Sequence, residues 1–192
     1  GRLAAGVNRL ALLGYAVPGA VIAIGVLIPA AKLDNLLGDA AASLFGISTG
    51  LLLTGSLAAL VYAYLIRFLA VALQSVGAGL SRITPAMEDA ARSLGLGPAA
   101  TLARVHLPMM RSSLVTAALL VFVDVMKELP ATFVMRPFNF DTLAVQAYNL
   151  AADERLAEAS TASLAIVAVG LVPLVIAARR MVRPERPPGQ PG

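Results

Sequence analysis

The sequence contains no cysteine, no tryptophan and a single histidine among its 192 residues. The lack of thiols excludes disulfides and thiolate metal sites, and His106 alone does not provide the several convergent ligands that a metal ion needs. No sequence feature beside this histidine indicates an activated nucleophile. We therefore expect no catalytic residue, no metal and no cofactor in this chain.

Charged residues are also scarce, at 14% of the chain, whereas hydrophobic residues make up 58% and the mean hydropathy is +0.81. A chain of this length does not hide so much apolar surface in one water-soluble core, so we expect a membrane to be its solvent. Four apolar segments approach the roughly 20 residues that cross about 30 Å of hydrocarbon as a helix. They are residues 10–31, 47–66, 112–135 and 159–178, and the second has an apolar continuation beyond Arg67.

The basic residues are distributed unevenly around these segments. If both termini lie in the cytoplasm, ten arginines are cytoplasmic and only Lys32, Arg136 and Arg155 lie outside. The ten are Arg2, Arg9, Arg82, Arg92, Arg104, Arg111, Arg179, Arg180, Arg183 and Arg186. Short loops rich in Lys and Arg stay in the cytoplasm, so we predict this orientation. The net charge of +4 is then an orientation signal, and nucleic-acid binding is not expected.

A polar stretch, MEDAARSLGLGPAATLARVHLP at residues 87–108, interrupts the apolar sequence on the predicted cytoplasmic side. Thr84 is suited to cap the start of a helix that Gly95 ends. Pro98 is suited to begin a second helix, which Pro108 is expected to close before the third span. The stretch therefore predicts a hairpin of two short helices with a glycine corner. The alternative is an ordinary cytoplasmic loop whose amphipathic helix lies on the lipid headgroups.

Within this hairpin, GLGPAA matches the G-x-G-x-x-A dinucleotide fingerprint, but that motif requires a preceding strand and here a helix precedes it. The sequence also has no phosphate-binding loop of the G-x-x-x-x-G-K-[ST] type. Any ATP hydrolysis linked to this chain is therefore expected on a separate protein.

The hairpin sequence resembles the signature of permease subunits in binding-protein-dependent ABC importers: E-A-A, three residues, G, nine residues, I, one residue, L-P. Seven residues occupy the signature positions, with Asp in place of Glu and Val in place of Ile: Asp89, Ala90, Ala91, Gly95, Val105, Leu107 and Pro108. The resemblance implies that the hairpin is a coupling helix. In this family it docks on an ABC ATPase subunit and transmits the closure of that subunit to the membrane helices.

The segment DVMKELPATFVMRPFNFDTLAVQAYNLA at residues 124–151 is similar to permeases of the iron(III) importer group, and YAVPGAVIAIGVLIP and YLIRFLAVALQSV resemble their preceding spans. The resemblance implies an all-α polytopic membrane bundle of the ABC importer type I permease kind, with four transmembrane helices and a coupling hairpin. It implies the C-terminal portion of a permease half in a bacterial inner membrane. The implied partners are a solute-binding protein and a second permease half or homodimer mate. Iron(III) is the expected substrate, with thiamine, aminophosphonates and polyamines as alternatives.

Four charged residues fall within or directly beside the apolar spans: Arg67, Asp124, Lys127 and Glu128. Lys127 lies one helical turn from Asp124, so these two can pair on one helix, and Arg67 is a possible cross-helix partner. An ion network that holds helices in register and a pathway or gating role remain alternatives. A self-contained secondary transporter or a membrane scaffold that uses these charges is the alternative to an ABC permease.

Two further segments carry expectations. Pro130 is expected to bend the third span. Residues 136–158 are expected outside the membrane, with DTLAVQAYNLA at residues 141–151 as an amphipathic helix. This segment is expected to form part of a docking surface for a solute-binding protein, an outer gate or a solvated loop. Residues 1–180 are predicted to form the transmembrane domain. Residues 181–192, which are rich in Pro and Gly, are predicted to be disordered.

Overall fold

The computed structural model describes residues 2–181, and this part of the chain is mostly helical and contains no β-strand. The elements are α1 (Arg2–Ala16), α2 (Gly19–Phe45), α3 (Leu57–Leu80), α4 (Pro85–Ser93), α5 (Pro98–Thr101), α6 (Leu107–Met126), α7 (Pro130–Met135), α8 (Leu143–Ala152) and α9 (Leu156–Met181), with a π turn at Leu102–His106. Residues 182–192 of the predicted disordered tail lie outside the described residues.

Four helices in the described part are long and apolar enough to cross a membrane: Gly19–Phe45, Leu57–Leu80, Pro98–Met126 and Leu156–Val175. The predicted all-α membrane bundle with four such helices is therefore confirmed. The fourth predicted span, residues 159–178, lies within α9. The bounds of the other three predicted spans are wrong, each for a local physical reason.

The first predicted span, residues 10–31, is divided because the chain leaves the helical conformation at Val17 and Pro18. Pro18 has φ −55° and ψ 138°, which is an extended conformation. A proline disfavours helical geometry in the residue before it and donates no backbone hydrogen bond, so α1 ends here and α2 begins. The second helix then continues to Phe45, where Gly46 ends it with φ 67°.

The second predicted span begins too early, because α3 starts at Leu57 rather than at residue 47. Ser56 caps the helix, and its hydroxyl oxygen accepts the N–H of Ala59 at 3.2 Å. The predicted continuation past Arg67 is correct, since α3 runs without interruption to Leu80.

Asp34 holds the irregular segment that precedes α3. Its carboxylate accepts the backbone N–H groups of Leu52, Leu53 and Thr54 at 3.0, 2.8 and 2.7 Å. The side chain is only 2% exposed, and a buried carboxylate is tolerated when hydrogen bonds replace its hydration. These bonds fix the outer part of α2 beside the start of α3.

The first two helices together run antiparallel to α3. Gly14 of α1 approaches α3 so closely that a Cβ would lie 2.5 Å from the carbonyl oxygen of Ile66, whereas Asp34 lies beside the residues before Leu57. The sixth helix is antiparallel to α3 as well, because its early residue Ser113 packs against Gly79 near the end of α3. Small residues permit these close approaches of helix backbones.

The third predicted span, residues 112–135, differs from the observed helix, Pro98–Met126, at both ends. Pro108 does not close the hairpin, because the helix runs on from Pro98 through a π turn in which the N–H of Leu107 donates to Leu102, five residues back. Proline lacks an N–H and its ring conflicts with the carbonyl four residues earlier, and the wider turn relieves that conflict. At the other end the helix stops at Met126, and Pro130 begins the separate helix α7 instead of bending the span.

The core of the described bundle lies where α2, α3 and α7 meet. Its buried members are Ile22, Ala23, Val26, Ala59, Leu60, Ala63, Ala131 and Met135. The alanines at this junction are 0–7% exposed and allow the three backbones to approach closely. The last two helices, α8 and α9, pack against each other, and α9 also packs against α6.

This arrangement gives the bundle two distinct ends. The hairpin of α4 and α5, with Arg82, Arg92 and Arg104, lies at the end where α3 finishes. Asp34 and the segment before α3 that it binds lie at the opposite end. The helix α7 extends toward that end, and Arg136 directly follows α7. The separation agrees with the arginine distribution, while the side of the membrane that each end faces stays a prediction.

Single cysteines test the predicted orientation, because the natural chain has no thiol to interfere. Gly97→Cys is expected to react with a membrane-impermeant maleimide only from the cytoplasm, and Phe138→Cys, at a side chain that is 95% exposed, only from outside. Labelling in intact cells and in inverted vesicles measures this. Reaction of both cysteines from the same side would contradict the orientation.

Candidate functional site: the helical hairpin and the intramembrane ion pairs

The corner of the hairpin is built by Gly95, which has φ +79°. The N–H of Gly95 donates to the carbonyl of Arg92 at 2.9 Å, and the N–H of Leu96 donates to the carbonyl of Ala91 at 3.0 Å. This pair of bonds is a Schellman motif, which satisfies the last carbonyls of α4 and needs a left-handed residue at its centre. Gly97 then caps α5 in an extended conformation.

The seven signature residues have different exposures. Asp89, Ala90, Gly95, Leu107 and Pro108 are exposed, Val105 is half-buried, and Ala91 is buried at 4% exposure. Ala91 is thus turned inward, whereas Leu94 at the corner is 81% exposed.

The two adjacent acids of α4 have different partners. Asp89 lies 3.2 Å from Arg92 on the outer surface, where both side chains are 70% exposed. Glu88 lies 3.4 Å from His106, whose side chain is 16% exposed. Sequence reasoning left His106 without a partner, since only the folded hairpin brings residues 88 and 106 together. The pair links α4 to the π turn that leads into α6.

Inside the bundle, Arg67 of α3 pairs with Glu128, which lies two residues after the end of α6. The Arg67 Nε and Glu128 Oε2 atoms are 2.8 Å apart, and the Glu128 side chain is 5% exposed. Arg67 Nη1 also donates to the carbonyl of Val17 at 2.9 Å. The predicted cross-helix partner of Arg67 is therefore Glu128, with a second contact to the interruption between α1 and α2 that the sequence did not indicate.

Glu128 also organises the start of α7. Its Oε1 atom accepts the N–H of Ala131 at 3.0 Å, and its carbonyl accepts the hydroxyl of Thr132 at 2.8 Å. The hydroxyl of Thr132 in turn bonds to that of Tyr64 on α3. Gly19, at the first turn of α2, has no room for a side chain, because a Cβ would lie 2.5 Å from Glu128 Oε1.

The second ion pair joins Asp124 and Lys127 within one stretch of chain, with Lys127 Nζ 2.9 Å from Asp124 Oδ1. Asp124 is 14% exposed and Lys127 is 63% exposed. The two residues border a groove of about 560 Å³ between α6 and α9. The groove is lined mainly by apolar side chains, including Leu120, Val123 and Leu171. The four residues predicted as an intramembrane charge network therefore form two separate ion pairs.

The segment at the opposite end of the bundle from the hairpin carries two ion pairs, Arg136 with Asp141 and Arg155 with Glu158. Hydrogen bonding and charge attraction from Glu158 raise the pKa of Arg155. The predicted amphipathic helix of this segment is α8, which begins at the cap residue Thr142.

Two substitutions compare the ion pairs. Arg67→Met is expected to lower the free energy of unfolding by about 3–5 kcal/mol, because it leaves the buried Glu128 carboxylate without a counter-charge. Lys127→Met is expected to lower it by about 1 kcal/mol or less, because the ammonium group is largely exposed. Unfolding of the purified protein in detergent measures both changes, and equal losses would contradict the assignment.

Comparison with known proteins shows that the sequence is similar to permease proteins of transport systems. No protein-family model matches the chain. The chain is 26% identical to the Fe(3+)-transport system permease protein FbpB 2 of Haemophilus influenzae over 170 residues, 88% of this chain and 30% of that protein. It is 30% identical over 120 residues to the putative 2-aminoethylphosphonate transport system permease protein PhnV of Salmonella paratyphi A.

The match to that PhnV covers 62% of this chain and 45% of the relative, and PhnV of Salmonella typhimurium is 29% identical over the same shares. The chain thus spans less than half the length of the curated relatives it matches. The sequence resemblance is confirmed by these matches, and the chain is a relative of transport-system permease proteins.

Proposed function

We propose that this chain forms part of the membrane-spanning permease of an ATP-driven ABC importer in a bacterial inner membrane, with both termini in the cytoplasm. The observation that carries this proposal is the hairpin, whose signature residues form a rigid glycine corner at one end of the bundle. The relationship to transport-system permeases supports the same function. ATP hydrolysis is assigned to a separate ABC ATPase subunit.

The hairpin surface fits a docking role. Ala90 leaves room for close approach, and Leu94 presents an exposed apolar side chain at the corner. The Asp89–Arg92 pair places both charges on the same exposed surface. We assign these features to contact with a cleft of the ATPase. Ala91 is buried and packs the hairpin against the rest of this chain.

The hairpin is joined to the membrane helices in a way that suits force transmission. The helix from Pro98 continues through the π turn to Met126, so α5 and α6 move as one body. The Glu88–His106 contact links α4 to that same body. A displacement of the docked hairpin is therefore expected to move α6 along its full length.

The other partners follow from the same proposal. A solute-binding protein is assigned to the opposite end of the bundle, where residues 136–142 expose Phe138. A second permease half or homodimer mate is assigned to complete the translocation pathway. These partners are consistent with an importer in which this chain supplies only part of the channel.

Adding one Cβ at two neighbouring glycines tests the docking role. Gly95→Ala is expected to weaken ATPase docking and lower substrate-stimulated ATP hydrolysis severalfold, because a left-handed backbone costs an L-residue about 1–2 kcal/mol. Gly97→Ala adds the same group at φ −74° with open space around it and is the matched control. Co-purification with the ATPase and hydrolysis in proteoliposomes measure both variants.

The proposal would be wrong if Gly95→Ala hydrolysed ATP and transported substrate as the unmodified importer does. Uptake by the purified chain that is driven by an ion gradient without nucleotide would favour the alternative secondary transporter. Retention of the protein in the membrane checks that Gly95→Ala has not simply prevented insertion.

We propose iron(III) as the substrate, because the match to the Fe(3+)-transport permease covers 88% of this chain against 62% for the aminoethylphosphonate permease. Proteoliposomes with the binding protein and ATPase are expected to accumulate radioactive ferric iron and not 2-aminoethylphosphonate. Uptake of the phosphonate, thiamine or a polyamine instead would overturn the iron assignment and leave the importer assignment intact.

A further inference from the structure

The chain leaves the helical conformation directly before α2 and directly after α6, and both interruptions lie beside Arg67. The first separates α1 from α2 at Val17 and Pro18, and the second separates α6 from α7 at residues 127–129. Arg67 Nη1 donates to the carbonyl of Val17, and Arg67 Nε lies 2.8 Å from Glu128. Since α3 is continuous, one guanidinium joins both interruptions to a single unbroken helix.

The contacts of Arg67 use the shape of the guanidinium group. Nη1 donates a hydrogen bond to the Val17 carbonyl, whereas Nε lies 2.8 Å from Glu128 Oε2 without a hydrogen bond, so charge attraction holds the carboxylate there. The two nitrogen atoms belong to one rigid plane, so the Val17 carbonyl and the Glu128 carboxylate meet different edges of the same group. Glu128 is held on its far side by the N–H of Ala131. A shift of Glu128 therefore changes the position of both α7 and the α1–α2 junction.

On the side of the interruptions away from the hairpin, α2 and α7 form a pair. Ala23 of α2 and Ala131 of α7 are both fully buried in the shared core. Gly19 places the first turn of α2 directly against the Glu128 carboxylate. On the hairpin side, α6 packs along α3 and continues into the hairpin. The ion pair lies between these two sets of helices.

We infer that Arg67 is a positioning residue that transmits movement of the hairpin to the α2–α7 pair, with the Arg67–Glu128 ion pair as the pivot. The inference rests on the proposed function, because the ATPase drives the hairpin. Movement of α6 turns Glu128 about Arg67, which the uninterrupted α3 holds in place, and the Ala131 hydrogen bond passes this displacement to α7. Packing at Ala23 then carries it to α2.

The test removes both charges together in the assembled importer. Arg67→Met with Glu128→Gln avoids an unpaired buried charge, and the amide oxygen introduced at 128 still accepts the Ala131 N–H. Neutral replacement of a buried ion pair is often tolerated in stability. We expect ATP hydrolysis at the unmodified rate, with substrate uptake per ATP reduced about tenfold, within the usual range of coupling between sites.

Two further variants make the result decisive. Asp124→Asn with Lys127→Met removes two charges near the same junction and reports how charge loss alone affects insertion and assembly. Arg67→Lys keeps the charge but lacks the planar fork, so it is expected to assemble normally with a reduced uptake per ATP. If the double variant does not assemble, the uptake per ATP of Arg67→Lys decides whether the ion pair transmits movement.

A double variant or Arg67→Lys that assembles and retains the unmodified uptake per ATP would overturn the inference. Failure of both to assemble, while the Asp124/Lys127 control does assemble, would also overturn it, because the ion pair would then serve folding alone. Failure of the unmodified protein to associate with an ATPase would instead refute the proposed function. The two hypotheses are thus separated by the behaviour of the unmodified importer.

Discussion

The Arg67–Glu128 ion pair is the contact on which the middle of the bundle depends, because it brings together two opposite charges that hydrocarbon does not tolerate alone. Interrupted helices leave backbone groups without intrahelical partners, and buried charges need their own compensation. Here the freed backbone groups bond to the buried charges, because the Val17 carbonyl accepts a hydrogen bond from Arg67 and the Ala131 N–H donates one to Glu128. The helix interruptions and the ion pair therefore depend on each other, since each provides hydrogen-bond partners that the other lacks.

The same reasoning explains why glycine and proline occupy their positions along the chain. Pro18 and Pro130 separate the helices where the ion pair compensates the exposed backbone. Gly19 leaves room for the Glu128 carboxylate, and Gly95 adopts the left-handed conformation that the hairpin corner requires. Pro108 has a different effect, because the π turn before it keeps the helix continuous. That continuity connects the hairpin mechanically to the membrane.

The function proposed for the chain joins these two regions. The hairpin presents Leu94 and Ala90 to a partner at one end of the bundle, and the ion pair lies midway along α3. In the proposed mechanism, the continuous helix from Pro98 to Met126 carries a displacement of the hairpin to the segment that contains Glu128. The similarity to transport-system permease proteins supports the transport function proposed for the chain.

The sequence by itself determined the membrane environment, the four apolar helices, the hairpin and its glycine corner, because length, hydropathy and local turn chemistry act over a few neighbouring residues. Only the tertiary structure decided that Arg67 pairs with Glu128, that Glu88 meets His106 and that Asp34 holds the segment before α3. These contacts join residues 18 to 61 positions apart, and helical periodicity carries no information about which helices are neighbours. The interruptions at Pro18 and Pro130 depended on both. A proline indicates locally where a helix is interrupted, but the surrounding helices decide whether the backbone N–H and C=O groups freed there find hydrogen-bond partners.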